Sequence, residues 1–307
     1  MGGLLILLFT QCRRKPKSPN ITDWLEKEYP NRFEVLDTYT RDVIRHLSFS
    51  VKGSFVAEKS NPLIQVNLHW DKRVADIELS KSMVDSAFAK AHREYNDAQS
   101  LYKSLQSNGL HDIAVGMDRG MAKVLIFAEP TPEHRQNSLI LLEKGFAEWQ
   151  KEEEHDINIY YLEPTEKDKS FKEIVPLLYW YNGFAEFKKN MLYWIVCPAT
   201  QPFSAKEFAK KWKYNTSCNR FVSKIENARK DAQKWASEHI KRPFTLLETV
   251  EFDQSYENMN LVKLKFPLVY KPIKEEETDS LIEIEGYISM NYKVEENTFG
   301  QIKLTKE

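Results

Sequence analysis

Residues 82–109 read SMVDSAFAKAHREYNDAQSLYKSLQSNG. Ser82 followed by Asp85 is a capping-box pattern at a helix start, and Gly109 is the residue that most easily ends a helix. The apolar residues recur at spacings of four and three, which is the period of one helix face: Val84, Phe88, Ala91, Tyr95, Ala98, Tyr102 and Leu105. The stretch predicts a long amphipathic helix packed on a sheet or helix layer, with a coiled-coil dimer as the alternative.

Short apolar or alternating runs lie on both sides of this helix and predict strands. The predicted strands cover residues 47–56, 63–70, 112–115, 121–127, 157–162, 191–196, 262–266 and 281–294. A second long amphipathic helix is predicted at about 217–241, where Phe221 begins the apolar face and Pro243 follows its end. Since hairpins and helices interleave without a strict β–α–β alternation, the fold class is α+β, mostly antiparallel, with long helices at about 82–108 and 217–241.

Two subdomains are expected after the N-terminal segment. Residues 22–200 form an α+β domain, and residues 201–307 form a helical segment followed by a C-terminal β-rich subdomain. The proposed boundary is the proline-flanked loop Pro198-Ala-Thr-Gln-Pro202, because two prolines disfavour continuous helix or strand.

Composition excludes several classes of function. The 307 residues carry 44 Lys and Arg against 45 Asp and Glu, so no chain-wide basic surface for nucleic acid is expected. With only 10 glycines, a glycine-rich phosphate loop is disfavoured, and neither a GxxxxGK[ST] nor a GxGxxG motif occurs. The sequence therefore predicts no cofactor and no nucleic-acid partner.

The N-terminus reads MGGLLILLFTQC, with an apolar run at residues 4–9 that ends just before Cys12. This segment resembles the lipobox of bacterial lipoproteins, in the loose form seen in Bacteroidota. The resemblance implies that residues 1–11 are a signal peptide and that Cys12 is the lipidated first residue of the mature chain. Residues 12–21 would be a basic tether to the membrane, and the basic n-region of the signal would lie upstream of Met1. An apolar N-terminus packed onto the domain is the alternative.

Two further cysteines, Cys197 and Cys218, leave three alternatives open. In an oxidising envelope they can pair and close a loop of about 20 residues. They can instead be free, partly buried thiols. Cys218 lies near a predicted helix start, where the pKa of a thiol can fall and make it reactive.

Local catalytic signatures are missing from the sequence. The seven histidines are scattered, and none lies three or four residues from another, so no helix-borne metal pair is predicted. His111 and His155 each precede an aspartate, but adjacent residues on a strand point to opposite faces. Both histidines are therefore expected to be solvated loop residues, and no catalytic or metal-ligating residue is assigned.

One aromatic cluster, Tyr179-Trp180-Tyr181, is followed by Asn182-Gly183. Exposed aromatic rings stack on sugars and anchor protein interfaces, so the cluster is a candidate binding surface for a glycan or protein partner. A buried core segment followed by a turn is the alternative.

Three functional hypotheses follow. The first is a lipid-anchored bacterial envelope protein, on the periplasmic or surface side, with a non-catalytic binding or interaction role and the membrane as its partner. The second is an envelope hydrolase whose dispersed acids and histidines meet only in the fold. The third is a cytosolic adaptor.

Overall fold

The computed structural model describes residues 20–44, 49–71, 79–149, 151, 154–166, 173–182, 184–254, 261–270, 284–294 and 296–306. The chain divides into two compact units, Met1–His92 and Arg93–Glu307. The division falls inside the first long helix, whereas a boundary near residue 200 was expected. One continuous core joins residues from Ala98 to Val294, so residue 200 does not separate two cores.

The first unit contains a three-stranded antiparallel sheet in the order β1-β2-β3. Its elements are α1 (Ile21–Glu28), β1 (Phe33–Ile44), β2 (Phe49–Glu58), β3 (Asn61–Asp71) and the start of α2 (Lys81–Ser107). Strand β3 alternates as predicted: Ile64, Val66, Leu68 and Trp70 are buried while the residues between them are not. Phe33 stacks on Phe88 of α2 at 4.1 Å between ring centroids, which ties β1 to the helix.

The second unit contains two six-stranded sheets. The mixed sheet has the order β7-β4-β5-β6-β8-β9, and the C-terminal sheet is antiparallel with β12 and β13 at its centre. The strands are β4 (Ile113–Asp118), β5 (Met121–Phe127), β6 (Asp156–Leu162), β7 (Ile174–Val175), β8 (Met191–Cys197), β9 (Lys213–Tyr214), β10 (Thr245–Leu246), β11 (Glu251–Gln254), β12 (Leu261–Val269), β13 (Gly286–Lys293), β14 (Thr298–Phe299) and β15 (Lys303–Thr305).

The helices of the second unit after α2 are α3 (Pro132–Glu148), α4 (Leu177–Asn182), α5 (Phe184–Asn190), α6 (Ala205–Phe208) and α7 (Asn219–His239), with a 3₁₀ turn at Pro164–Glu166. Helix α3 connects β5 to β6, which run parallel, while β6 and β8 are antiparallel. Because β5 and β6 are parallel, their carboxyl ends lie at one edge of the sheet and the start of β6 lies at the other.

The two long helices are confirmed, with small changes at their ends. Helix α2 begins one residue earlier than expected, and Ser80 rather than Ser82 caps it, since its hydroxyl accepts the Met83 N–H at 3.2 Å. At the other end Gly109 has φ +94°, and Leu110 N–H bonds the Leu105 carbonyl at 3.0 Å. This is the six-to-one hydrogen bond of a glycine-terminated helix.

The mixed sheet is buried on both faces. Successive residues of β4 belong to different cores, with Val115 in the large core and Ala114 in a smaller one that also holds Trp180 and Phe187. The predicted α+β class with mostly antiparallel sheets is confirmed. None of the helices in the described ranges has the length and apolar character needed to cross a membrane.

Helices α2 and α3 approach closely at Gly145. A Cβ atom there would lie 2.5 Å from Leu105 Cδ2 and 3.3 Å from Leu105 Cα, and Ser104 Oγ donates to the Gly145 carbonyl at 2.7 Å. We expect Gly145→Val to lower the free energy of unfolding by about 1–3 kcal/mol, the usual cost of overpacking a core. Urea unfolding followed by circular dichroism measures this. Lys144→Val on the exposed side of α3 is the matched control, and equal stability of the two variants would contradict the close approach.

Candidate functional site

A buried hydrogen-bonded pair joins helix α2 to the residue just before strand β6. His155 Nε2 lies 2.7 Å from Asp97 Oδ2, and each side chain is only 1% exposed. A carboxylate buried this deeply needs a charged or hydrogen-bonded partner to offset the loss of hydration. The pair therefore constrains how α2 is placed against the sheet.

Trp149 fixes the orientation of the imidazole. Its indole stacks on the His155 ring with 5.9 Å between centroids and 22° between planes. The same indole donates its Nε1–H to the Asp97 carbonyl oxygen at 3.0 Å. Asp97 contacts the edge of the imidazole and Trp149 contacts its face. Together they fix the orientation of the ring, and with it the position of the second ring nitrogen.

That second nitrogen, His155 Nδ1, is buried and has no hydrogen-bond partner within the described part of the chain. His155 lines a cavity of about 290 Å³, which we call the His155 pocket. Its walls come from the end of α3, the start of β6, the end of β8 and the loop that follows it: Glu143, Phe146, Ala147, Trp149, Lys151, His155, Ile157, Cys197, Pro198, Ala199, Gln201, Pro202 and Phe203. The walls are mainly apolar and aromatic, and the His155 imidazole is one of their few polar groups.

The carboxylate decides which nitrogen carries the proton. Asp97 accepts, so the Nε2 atom that faces it is the donor. In the neutral imidazole the remaining nitrogen, Nδ1, is then a hydrogen-bond acceptor. Nδ1 is therefore the ring atom of His155 that can accept a hydrogen bond from a donor.

Cys197 lies in the same pocket. It is directly opposite Ile157 in the β6–β8 pair, two residues from His155. The thiol is 1% exposed, and its burial raises its pKa to about 12 despite the nearby Lys211 ammonium. At neutral pH Cys197 is therefore a protonated thiol.

A second cavity of about 290 Å³ lies at the carboxyl ends of β5 and β6. Arg220 donates to both oxygens of Glu129 and of Glu163, at 2.9–3.1 Å. These contacts lower the pKa of Glu129 and raise that of Arg220. Three tyrosines line the same cavity: Tyr193, Tyr214 and Tyr292. The charged groups of this cavity are thus paired with one another, in contrast to His155 Nδ1.

The aromatic cluster of residues 179–181 lies in helix α4. Trp180 is only 4% exposed, packs against Phe187 at 5.5 Å between ring centroids, and lies 4.2 Å below the Lys123 ammonium. Tyr179 and Tyr181 are half-buried. The structure thus places Trp180 in the core, which leaves its ring face closed to a sugar.

Cys197 and Cys218 do not pair, and both are free, buried thiols. Cys218 lies beside Tyr214, which pairs with Tyr193 of β8. Cys197 is four residues further along that strand, about 13 Å at the rise of an extended chain, whereas a disulfide needs Cα atoms within about 7 Å. The suggestion of a reactive Cys218 is also corrected, because burial raises the pKa of its thiol.

Two expectations remain to be placed. Cys12, the signal segment 1–11 and most of the tether lie outside the described residues, as does the predicted start of the last strand at residue 281.

The expectation that His155 is a solvated loop residue is wrong. The sequence places Asp156 next to His155, but the partner of His155 lies 58 positions away on α2, and no local pattern signals such a contact.

Comparison with known proteins gives no assignment. No protein-family profile, no curated protein and no solved structure matches this chain. The function must therefore be argued from the His155 pocket and the sequence.

Removing one partner of the buried pair should lower the free energy of unfolding. We expect Asp97→Ala to lower the free energy of unfolding by roughly 3–5 kcal/mol, because it leaves a buried imidazole unpaired. The double variant Asp97→Leu/His155→Phe should recover most of that loss, since both polar groups are removed together. Urea denaturation of the three proteins measures the differences.

The matched control is the exposed pair of Lys189 and Glu186, whose atoms lie 3.1 Å apart with both side chains more than half exposed. Glu186→Ala should change stability by less than about 1 kcal/mol. If Asp97→Ala were as mild as Glu186→Ala, the buried pair would not constrain the fold.

Proposed function

We propose that this protein is a lipid-anchored protein of a bacterial envelope and that it binds a small, largely apolar molecule in the His155 pocket. The anchor rests on the lipobox-like residues 4–12. The binding role rests on one observation: His155, whose buried Nδ1 atom makes no hydrogen bond within the described part of the chain, is among the residues that line a mainly apolar cavity. Turnover is not needed for this role.

The size and chemistry of the pocket support a small ligand. Its volume of about 290 Å³ lies at the lower end of small-molecule sites, which are concave, mainly apolar and carry a few placed polar groups. Phe146 and Phe203 stack edge-to-face at 4.9 Å between centroids and provide an aromatic wall. A planar or branched apolar group of about 8–12 heavy atoms suits such a space.

The imidazole supplies the specificity. A buried polar atom that makes no hydrogen bond costs about 1–3 kcal/mol, and a ligand that donates to it recovers part of this. We therefore infer that the ligand carries a hydroxyl, amine or amide donor next to its apolar group. A purely apolar ligand fills the same space without that gain.

The anchor predicts a lipid on one sulfur atom. In a bacterial host with a lipoprotein pathway, the protein should incorporate labelled palmitate. Cys12→Ser should abolish the label, while Cys197→Ala should keep it, because only the first thiol is expected to be acylated. Membrane fractionation of the same cells reports the location. Label that persists in Cys12→Ser, or a soluble pool of unprocessed mass, would instead favour the cytosolic adaptor.

The His155 pocket is expected to prefer a ligand that carries a hydrogen-bond donor. At pH 8 we expect phenol to bind roughly three to ten times more tightly than anisole, which has a similar shape but no donor, because one hydrogen bond contributes about 0.5–1.5 kcal/mol. Titrations followed by the methyl signals of Ala147 and Ala199, both in the pocket wall, measure the dissociation constants.

The preference should vanish in Asp97→Leu/His155→Phe, which keeps the apolar volume without an unpaired buried charge. His239→Phe, a change at an exposed histidine of α7, is the control and should keep the preference. Equal affinity for phenol and anisole in the wild type would remove the proposed role of Nδ1.

A further inference from the structure

We propose that the ligand of the His155 pocket is a small apolar zwitterion, of the class of leucine or phenylalanine. Its ammonium group is received by Glu143 and its carboxylate by Lys151. The proposal rests on the binding function proposed above, because it concerns the same cavity. It adds the charges of the ligand, which a preference for a hydrogen-bond donor does not specify.

Two side chains of opposite charge form the rim of the pocket. Glu143 belongs to α3 and Lys151 follows the end of that helix; both line the cavity, and both are exposed to solvent. Neither forms an ion pair with another residue in the part of the chain that the structure describes. The rim therefore presents one negative and one positive group that the fold itself does not use.

The Lys151 ammonium lies against the aromatic wall of the pocket. Its Nζ atom is 5.9 Å from the centroid of the Trp149 ring, and Trp149 lines the same cavity. The face of an aromatic ring attracts a cation, while the three N–H donors of the ammonium can still bond a carboxylate. Positive charge also reaches the cavity from Lys211, which favours the anionic form of the wall residue Cys197.

Helical spacing places Glu143 on the pocket face of α3. It precedes Phe146 and Ala147 by three and four positions, spacings at which residues are neighbours on a helix surface, and all three line the cavity. Glu143 and Trp149 are six positions apart, about 9 Å along the axis at the rise of a helix. The carboxylate and the ammonium thus reach the rim from different places, so one ligand can contact both.

Gln201 supplies a second acceptor for an ammonium group. Its Nε2 atom donates to Glu207 Oε2 at 3.0 Å, and because a carboxylate oxygen only accepts, the nitrogen of the amide must face it. The amide carbonyl oxygen accepts no hydrogen bond from the described residues, and Gln201 lines the cavity. A ligand ammonium has three donors and can bond this oxygen as well as Glu143.

The apolar walls select the rest of the ligand. Leucine and phenylalanine contain about 9 and 12 non-hydrogen atoms, which suits a cavity of about 290 Å³ at the small end of ligand sites. Exposed charges contribute little by themselves. A zwitterion therefore gains appreciable affinity only when its apolar group enters the cavity at the same time.

The test compares L-phenylalanine with two analogues that each lack one charge. Phenethylamine has no carboxylate, and 3-phenylpropanoate has no amine. Titrations of the full chain at neutral pH, followed by the methyl signals of Ala147 and Ala199, give the dissociation constants. We expect phenylalanine to bind roughly two- to five-fold more tightly than either analogue, the range of an exposed ion pair. About 0.5 M NaCl should reduce this advantage, because salt screens exposed charges.

Two variants assign the charges to their residues. Lys151→Gln should abolish the advantage of phenylalanine over phenethylamine and keep its advantage over 3-phenylpropanoate. Glu143→Gln should have the opposite effect. Lys144→Gln and Glu226→Gln are the matched controls, because they neutralise exposed side chains that do not line the pocket. Both controls should keep both advantages.

The outcomes separate the two proposals. Equal affinity for phenylalanine and either analogue, or advantages that are unchanged in Lys151→Gln and Glu143→Gln, would overturn the zwitterion as the ligand class. If phenol is still preferred over anisole in that case, the binding function stands with an uncharged ligand. If none of these compounds shifts the methyl signals of Ala147 and Ala199, the binding function itself is wrong.

Discussion

Burial of the Asp97 carboxylate is the constraint on which the arrangement of the second unit depends. A carboxylate at 1% exposure is stable only with a partner, and the partner comes from the start of β6 rather than from the same helix. The pair therefore fixes the position of α2 along the sheet. Trp149 adds to this because its indole bonds the Asp97 backbone and stacks on His155, so the end of α3 is held at the same point.

The charged and polar groups at the two edges of the mixed sheet differ in how completely they are paired. At the carboxyl ends of β5 and β6, Arg220 joins Glu129 and Glu163 with four hydrogen bonds. That arrangement links the ends of two strands to α7. It also occupies the planar guanidinium with carboxylates of the protein itself. At the opposite edge the imidazole hydrogen-bonds Asp97 through one nitrogen, and its other nitrogen has no hydrogen-bond partner among the described residues. This difference is why the His155 pocket, and not the cavity beside Arg220, is the candidate site.

The sequence predicts those parts of the fold that are coded locally. Helix α2 and its end at Gly109 follow from a period of 3.6 and a residue that tolerates positive φ, and the alternation of β3 follows from a period of two. Strand β1 was missed because acidic and basic residues interrupt its pattern. The unit boundary at His92 was missed because it lies inside an unbroken helix, where the sequence has no loop signal.

The site itself depends on contacts that no local pattern encodes. Asp97 and His155 are 58 positions apart, and Asp97 reads as an ordinary polar residue of an amphipathic helix. For Tyr179-Trp180-Tyr181 the sequence left a binding surface and a core segment open, and the structure buries Trp180 while Tyr179 and Tyr181 are half-buried, because a sequence reveals three large rings but not which face of the sheet they cover. In both cases the sequence does not tell which distant side chains become neighbours in the fold.

The chemical identity of the partner to Asp97 explains why a cavity at this position can be functional. The same unit contains another buried pair, in which Lys123 Nζ lies 2.7 Å from Asp118 Oδ2. An ammonium group has only donors, so the basic partner of that pair presents no acceptor, although Asp118 Oδ1 is itself buried without a hydrogen-bond partner among the described residues. Imidazole differs because its two nitrogens lie on opposite sides of one rigid ring. A neutral histidine can therefore hydrogen-bond a buried acid through one nitrogen and keep an acceptor on the other, and in His155 that acceptor has no partner among the described residues.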